Sequence, residues 1–382
     1  VLIRPSYVLG GRATEIVYDH SQLEKAMAEL LEFGSLGIEG GLSSERPVLV
    51  DRFLEEAIEV DVDAIRDATG DTVIGAVMEH VEEAGIHSGD SACVIPPPHL
   101  SEEVVAKIEE FTLQIAEALE VKGLINVQFA VKEDQIYVIE ANPRASRTVP
   151  FVAKATGVPL AKIASRVMVG ATLAELREEK LLRPRVSGDH VAVKEAVLPF
   201  NRFPEADPVL GPEMRSTGEV MGIDLTTGLA FAKSQISAGG ALPESGTVFM
   251  SLADRDKETG LEAARSLSDL GLEIVATKGT AEHLEKNGIR VKDVVAKLDE
   301  EGTDAVELIR SGAVQLVVNS PHGRGPRADG DHIRGAAGAE DIPLLTTASA
   351  ALAAAKGLHE WKNSSLEVRT LQAYHEGVKA EH

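Results

Sequence analysis

Residues 138–151 read VIEANPRASRTVPF. An apolar strand entering a core ordinarily closes in a turn or keeps its polar residues outward. This one runs out into Glu140, Asn142, Pro143, Arg144 and Arg147, placing a carboxylate, an amide and two guanidiniums at its exit. The segment before it, INVQFAVK (125–132), alternates: Val127, Phe129 and Val131 share one face, Asn126, Gln128 and Ala130 the other. In QIYVIEAN (135–142), Tyr137, Ile139 and Ala141 share one face, and Ile136, Val138, Glu140 and Asn142 the other. Residues paired across antiparallel strands point to the same side. A two-residue loop at Glu133-Asp134 pairs residue 128 with residue 139 and separates Gln128 from Glu140. Only an odd loop gathers Gln128, Glu140 and Asn142 on one face and Val127, Phe129, Tyr137 and Ile139 on the other. The expectation is therefore an odd hairpin loop and a triad of oxygen-bearing side chains. Such a triad, with one charge, suits Mg²⁺ or Mn²⁺. The two arginines just beyond can fork onto phosphate or carboxylate oxygens. The same residue types also make a polar strand end salt-bridged to acidic neighbours, and residue types alone leave both readings open.

The chain has 382 residues, 44% of them hydrophobic, enough for two or three domains with sizeable cores. No run of eighteen apolar residues suggests a membrane span, and no basic stretch ahead of an apolar one suggests a secretory signal. The first residue is Val, so the start was processed or the chain is a piece of something longer. The single Cys93 excludes an intrachain disulfide and a Cys-based metal site, which fits a reducing cytoplasm. Lys and Arg number 38 against 61 Asp and Glu, a net charge of -23. That field opposes binding to a nucleic-acid backbone. An anionic ligand must be held by a local cationic site.

The first part mixes strands, hairpins and long loops, an α+β pattern. SQLEKAMAELLEFG has helical spacing with Ser21 as N-cap and Gly34 as terminator. In AIEVDVDAIRD, Ile58, Val60, Val62 and Ala64 alternate with Glu59, Asp61 and Asp63, giving a strand with one apolar and one acidic face. SEEVVAKIEEFTLQIAEALE is an amphipathic helix capped by Ser101. SAGGALPESG (237–246) reads as a linker between a first unit, 1–236, and a second, 247–382. Beyond it strands and helices alternate, which predicts an α/β doubly wound parallel sheet.

Taken together, RPSYVLGGR, EVDVDAI, EEAGIHSGDSA, NVQFAVK and EANPRASRTVPFV closely resemble the large chain of carbamoyl phosphate synthetase, in its second, C-terminal ATP-grasp unit. The likeness runs nearly unbroken from Val1 to about Ala232. The second part resembles, more loosely, the methylglyoxal-synthase-like regulatory domain that ends this enzyme, through ATKGTA, VVN and IPLLTT. The resemblance implies a partial ATP-grasp unit that phosphorylates carbamate with ATP, for arginine and pyrimidine biosynthesis. Arg4, Gly10 and Gly11 would lie against the nucleotide phosphates, Arg52 and Leu54 beside adenine, and Glu59 at the ribose. Gly85, Ile86, His87 and Ser88 would line the nucleotide cleft. Gln128, Glu140 and Asn142 would hold the divalent ions, and Arg144 and Arg147 would bind carbamate and stabilise the transferred phosphoryl group. Glu59, His80, Glu82 and Ser91 resemble a K⁺ site. Glu82, Asp90, Glu195, Leu198 and Thr346 match positions that hold the activator ornithine in some relatives.

At the carboxyl edge of a parallel sheet, strand-to-helix turns make anion sites. Thr277 and Thr280, then Asn319, stand at such turns. By resemblance, Ser251, Lys257, Thr277, Thr280, Lys297 and Asn319 would hold a nucleotide effector such as UMP. Pro321 departs from the threonine of many relatives. Arg324, Arg327 and Arg334 are read as a solvated loop, and Asp331 is not read as a lyase base. The family implies a small glutaminase subunit as partner, bicarbonate and ammonia as substrates, and an oligomer in the intact enzyme. The likeness begins inside an ATP-grasp unit, so the alternative is a non-catalytic fragment that binds metal and effector.

Overall fold

A computed structural model describes residues 1–6, 10–35, 46–183, 189–203, 206, 208–296, 302–320, 328–364 and 366–376. Lys297, Pro321, Arg324 and Arg327, and the side chain of Asp331, lie outside the described residues. β1 (Leu2–Pro5), β2 (Glu15–Ile16), α1 (His20–Ser35) and β3 (Val48–Asp51) form a small lobe with strand order β2-β1-β3. Ile3, Val17, Ala26 and Leu30 are its core. The α1 helix begins one residue before the expected cap, so Ser21 lies inside it. Asp19 takes the capping role, its Oδ1 accepting from the Gln22 N–H at 2.8 Å.

The main sheet is built from β4 (Ile58–Arg66), β5 (Thr72–Glu83), β6 (Cys93–Ile95), β7 (Gly123–Lys132), β8 (Gln135–Asn142), β9 (Val191–Val197) and β10 (Gly218–Asp224). Its order is β10-β9-β6-β5-β4-β7-β8, antiparallel throughout. Between and after these strands come α2 (Glu102–Ala118), α3 (Val149–Thr156), α4 (Leu160–Met168), α5 (Leu173–Glu178) and α6 (Thr227–Ala238). Val60, Val62 and Ala64 of β4 join Val127 and Phe129 of β7 under α2, whose Val104, Ile108 and Ala116 are buried. Ser101 caps α2 as its sequence predicts, accepting from the Val104 N–H. The opposite face changes character along its length. Ile65, Ala76, Met78 and Cys93 lie under α3 and α4, whereas Glu59, Asp61 and Asp63, in register before Ile65, form its polar end. All three carboxylates are buried.

The hairpin of β7 and β8 departs from the expected parity. Its loop is two residues, Glu133 and Asp134, with φ of 51° and 60°, the left-handed pair of a tight hairpin turn. A β-bulge between the pairs Phe129↔Val138 and Gln128↔Glu140 then absorbs Ile139. One extra residue restores what an even loop takes away, so Gln128 stands opposite Glu140 and Asn126 opposite Asn142. The apolar partition differs in detail. Ile139 is half-exposed and Tyr137 pairs with Ala130, while Ile136 and Ala141 pack towards the α2 core.

The second unit comprises β11 (Thr247–Ser251), α7 (Lys257–Asp269), β12 (Glu273–Thr277), α8 (Lys278–Lys286), β13 (Asp293–Val295), α9 (Ala305–Arg310), β14 (Leu316–Asn319), α10 (Ala328–Ala339), β15 (Leu344–Leu345), α11 (Ala348–Asn363) and α12 (Leu371–Glu376). Its five strands are parallel in the order β13-β12-β11-β14-β15, the predicted doubly wound sheet. One continuous hydrophobic cluster joins the two units. It contains Ala92, Val94, Val193 and Phe231 from the first and Val248, Leu267, Ala351 and Leu358 from the second. The sequence between them starts inside α6, and Leu242 is buried in the same cluster.

Close backbone approach seats α6 on β10. A Cβ on Gly222 would lie 2.0 Å from the Ala230 carbonyl oxygen and 2.5 Å from the Ser234 nitrogen. Neither backbone atom can move without displacing the helix. Gly222→Ala is expected to cost on the order of 3 kcal/mol, read as a lower unfolding midpoint in urea. An unchanged midpoint would show that α6 is not seated by this contact.

Candidate functional site

β4 is the spine of the polar face. Asp61 stands opposite Gln128, and Asp63 opposite Asn126, in the ladder between β4 and β7. With Glu140 and Asn142 on β8, six oxygen- or nitrogen-bearing side chains cover three adjacent strands. Gln128 spends its amide N–H on Ser88 Oγ at 2.8 Å, and Asn142 donates to Glu140 Oε1 at 2.8 Å. Both amide oxygens are left as acceptors. The donor set that the hairpin presents is therefore all-oxygen, which fits a hard divalent ion.

Burial sets the protonation of this face. Glu59 is pushed up to about 7, chiefly by burial, with the His80 charge opposing. Burial pushes Asp63 up to about 6 despite hydrogen bonds from Ser146, Thr148 and Asn126. Burial acts the same way on Asp61, but a 2.8 Å bond from His80 Nε2 outweighs it and holds the carboxyl below its usual range. Burial would discharge His80, yet the adjacent Cys93, Asp61 and Glu59 keep its imidazole well above the usual range. Ser91 Oγ and His80 Nδ1 are buried without a partner beside this group.

The segment between β5 and β6 is bound to the polar face from two sides. Buried Lys194 Nζ donates to Ser88 O at 3.1 Å. Asp90 accepts from the Arg215 and Ser216 N–H groups at 2.7 and 2.8 Å. His87 Nδ1 accepts from the Gly89 N–H, while the His87 N–H donates to Gly211 O. Burial lowers the His87 imidazole. Arg147 donates to Ser216 Oγ at 3.0 Å and faces Glu219 at 3.4 Å. Arg144 is exposed, with a local bond to Ala145 O.

Other expected positions lie around the rim. Arg52 and Leu54 line a cavity of about 470 Å³ with Lys132, Gln135 and Tyr137 from the hairpin. Gly85 and Ile86 line a narrower one of about 130 Å³ with Tyr18, Phe53, Arg255 and Thr346. Arg4 is paired with Asp51 at 3.0 Å. Gly11 sits against Pro212, and Gly10 O accepts from the Met214 N–H at 3.1 Å.

Residues 1–176 match the family described as "Carbamoyl-phosphate synthase L chain, ATP binding domain", and residues 259–346 match "MGS-like domain". The chain is 51% identical over 374 residues to the carbamoyl phosphate synthase large chain of Synechocystis sp., covering 98% of this chain and 33% of that protein. It is 52% identical over 392 aligned positions to the large chain of Mycobacterium tuberculosis, covering 98% and 34%. The chain belongs to the carbamoyl phosphate synthase large-chain family. It spans about a third of the length of these relatives. Its first unit is an ATP-grasp domain and its second is MGS-like.

In the MGS-like unit of this family member, Ser251 and Asn319 are ladder partners at the ends of β11 and β14. Thr277 Oγ1 lies 3.2 Å from Thr280 Oγ1 and 3.5 Å from Ser251 Oγ. Lys257 Nζ approaches the same edge, 3.9 Å from where a Gly279 Cβ would be, and pairs with Asp254 at 2.8 Å. Five of the six expected positions thus meet at one sheet edge, and the sixth, Lys297, is outside the described residues. Arg334 is a correction. It belongs to α10, is 3% exposed, and donates to Asn319 Oδ1 at 2.7 Å instead of lying in a solvated loop. No periodic signal marks it in the small-residue run around it.

The expected activator positions divide. Glu82 and Glu195 are buried near enough to repel, and Glu195 is pushed up to about 8 by burial and then by Glu82. Glu82 accepts from the Ala92 N–H, and Glu195 from Gln235 Nε2 at 2.6 Å. The Asp90 carboxylate is taken by backbone N–H groups, Thr346 lines the 130 Å³ cavity, and Leu198 is half-buried just after β9. Sequence reading missed Asp61, Asp63 and Lys194 as parts of the site. The acidic alternation of β4 was visible, but a strand with one acidic face reads as solvated.

The raised Glu59 fixes a pH dependence. The folded chain keeps a proton that the unfolded chain releases above its ordinary glutamate range. Stability from this group is greatest at low pH and is lost as pH climbs to about 7. The loss is ~3 kcal/mol at full shift. Glu59→Gln is therefore expected to flatten the fall in thermal midpoint between pH 5 and 7 in potassium-free buffer. Parallel curves for both proteins would contradict the assignment.

Proposed function

We propose that this chain is the carbamate-phosphorylating and regulatory portion of a carbamoyl phosphate synthase. In the proposed reaction a carbamate oxygen attacks the γ-phosphorus of ATP. The bond from that phosphorus to the β–γ bridging oxygen breaks, yielding carbamoyl phosphate and ADP. The observation that carries this reading is the bulged hairpin, which sets Gln128 opposite Glu140, with Asn142 bonded to Glu140 and the arginine loop directly beyond. Gln128, Glu140 and Asn142 would hold Mg²⁺ or Mn²⁺, which neutralises phosphate charge when bound. Arg147, already oriented by Ser216 and Glu219, and the exposed Arg144 bind carbamate and stabilise charge on the moving phosphoryl group. Arg4, Gly10 and Gly11 serve the phosphates and Glu59 the ribose. Gly85, Ile86, His87 and Ser88 flank the nucleotide, and the cavity at Arg52 and Leu54 takes adenine.

The regulatory part of the proposal rests on charge. Two buried, mutually repelling carboxylates, Glu82 and Glu195, suit an ammonium-bearing activator such as ornithine. Glu59, Glu82 and the unpartnered Ser91 Oγ suit K⁺. The hydroxyl cluster with Lys257 at the parallel-sheet edge suits the phosphate of a UMP-like effector, with Lys297 as a second cation. The whole enzyme would act in the cytoplasm as an oligomer, with a glutaminase subunit delivering ammonia to bicarbonate-derived intermediates, for arginine and pyrimidine synthesis.

Incubating the 382-residue chain with MgATP and carbamate is expected to give little or no ADP and carbamoyl phosphate, because the chain spans about a third of its relatives. Robust turnover by the chain alone would refute that dependence. In the complete large chain, Glu140→Ala is expected to weaken Mn²⁺-dependent nucleotide binding at least tenfold by calorimetry. Unchanged binding would remove the metal assignment.

A further inference from the structure

Asp63 is buried on β4, 1% exposed, and its contacts are unlike those of the other two carboxylates. Its Oδ1 accepts from Ser146 Oγ at 2.7 Å and from Asn126 Nδ2 at 3.0 Å. Its Oδ2 accepts from Thr148 Oγ1 at 2.6 Å. Ser146 Oγ and Thr148 Oγ1 lie 2.8 Å apart, brought together because each gives its one hydroxyl proton to the same carboxylate. These two residues flank Arg147. Thr148 stands at the N-cap of α3 but makes no side-chain cap bond, because its hydroxyl is given to Asp63. A helix start has forgone its own cap to serve this carboxylate.

We propose that Asp63 is a positioning residue for phosphoryl transfer, clamping the 144–148 loop so that Arg147 keeps a fixed place just beyond the hairpin that carries the oxygen ligands. The proposal rests on the function proposed above. Backbone bonds alone hold the loop weakly: the Arg144 N–H reaches back to Asn142 O, and the Val152 N–H reaches Thr148 O. Between those points the ties are the Asp63 bonds on one side and Arg147 with Met214, Ser216 and Glu219 on the other. Two charge-assisted bonds from one rigid strand fix residues 146 and 148, so the residue between them has little freedom. The same carboxylate grips Asn126, whose amide also reaches Asp61 Oδ1 at 3.1 Å. Asn126 is two residues from Gln128 on the same face. One carboxylate thus fixes the arginine loop and the metal-ligand strand relative to each other. That fits the demand of phosphoryl transfer, which is mostly positioning.

Two measurements test it. Hydrogen exchange on this chain is expected to speed up at least tenfold at amides 144–148 in Asp63→Asn, with β7 amides unchanged. Equal exchange would overturn the clamp whatever the enzyme does. In the complete large chain, ATP formation from MgADP and carbamoyl phosphate reads the function. Asp63→Asn is expected to lower kcat at least tenfold with KM for ADP within twofold. Ser146→Ala/Thr148→Ala should reproduce that loss, and adding Asp63→Asn to it should slow the enzyme no further, because all three act through one contact. A kcat within twofold of the parent, or losses that multiply, would overturn the positioning role. If Asp63→Asn does not fold, the Ser146→Ala/Thr148→Ala protein decides both measurements. If the parent forms no ATP, the proposed function fails, while the exchange result still decides the clamp.

Discussion

Three carboxylates on one strand that is covered on both faces impose a severe demand. Each must be paired, hydrogen-bonded or protonated, or the sheet cannot close. The chain meets that demand in a different way at each position. Glu59 is held partly as the acid. Asp61 keeps its charge against His80 and Asn126. Asp63 is given hydroxyls and an amide from segments far along the chain. The neighbours recruited for this purpose are the ones that build the site. Asn126 belongs to the strand of Gln128, and Ser146 and Thr148 bracket Arg147. Solving the burial problem of β4 assembles the polar face.

Much of this was legible in the residues and some of it was not. The alternation in β4 and β7, the Ser101 cap and the strand-helix rhythm of the second unit all follow from local periodicity. The bulge does not. Val138 and Ile139 are both apolar, so nothing in the pattern says which is the extra residue, and an odd loop satisfies the same parity. The structure reached the expected face by another route, a tight turn followed by one absorbed residue. The cap of α1 was misassigned because Asp19 and Ser21 are both good caps two positions apart. Asp63 was invisible as a clamp because its two hydroxyl partners lie more than eighty residues away. Arg334 was misjudged because burial of a guanidinium depends on the acceptor it finds, here Asn319.

The polarity of the chain's ligand regions follows from their backbones. In the parallel sheet, strand ends and helix starts converge on one edge, so hydroxyls and N–H groups gather there without any change in net charge. The antiparallel sheet has no such edge. Its chemistry must come from side chains on a face, and with an overall balance of -23 an anionic ligand there depends on locally placed arginines. Arg147 is anchored by Ser216 and Glu219, the latter on β10 at the far side of the sheet.

The cluster that joins the two units bears on how such chains can diversify. Val94, Val193 and Phe231 share one hydrophobic interior with Val248, Ala351 and Leu358. Gly357 of α11 comes so close to α6 that an added Cβ would sit 2.8 Å from Gly228 O. A foreign C-terminal unit could not be grafted like a cassette, because its last long helix would have to carry the same small-residue footprint. The polar residues at the carboxyl edge of β11, β12 and β14, Ser251, Thr277, Thr280 and Asn319, take no part in that shared cluster. Side chains at that edge can therefore change while the seam stays fixed, so the proposed effector edge and the mechanical attachment occupy separate surfaces of one small fold.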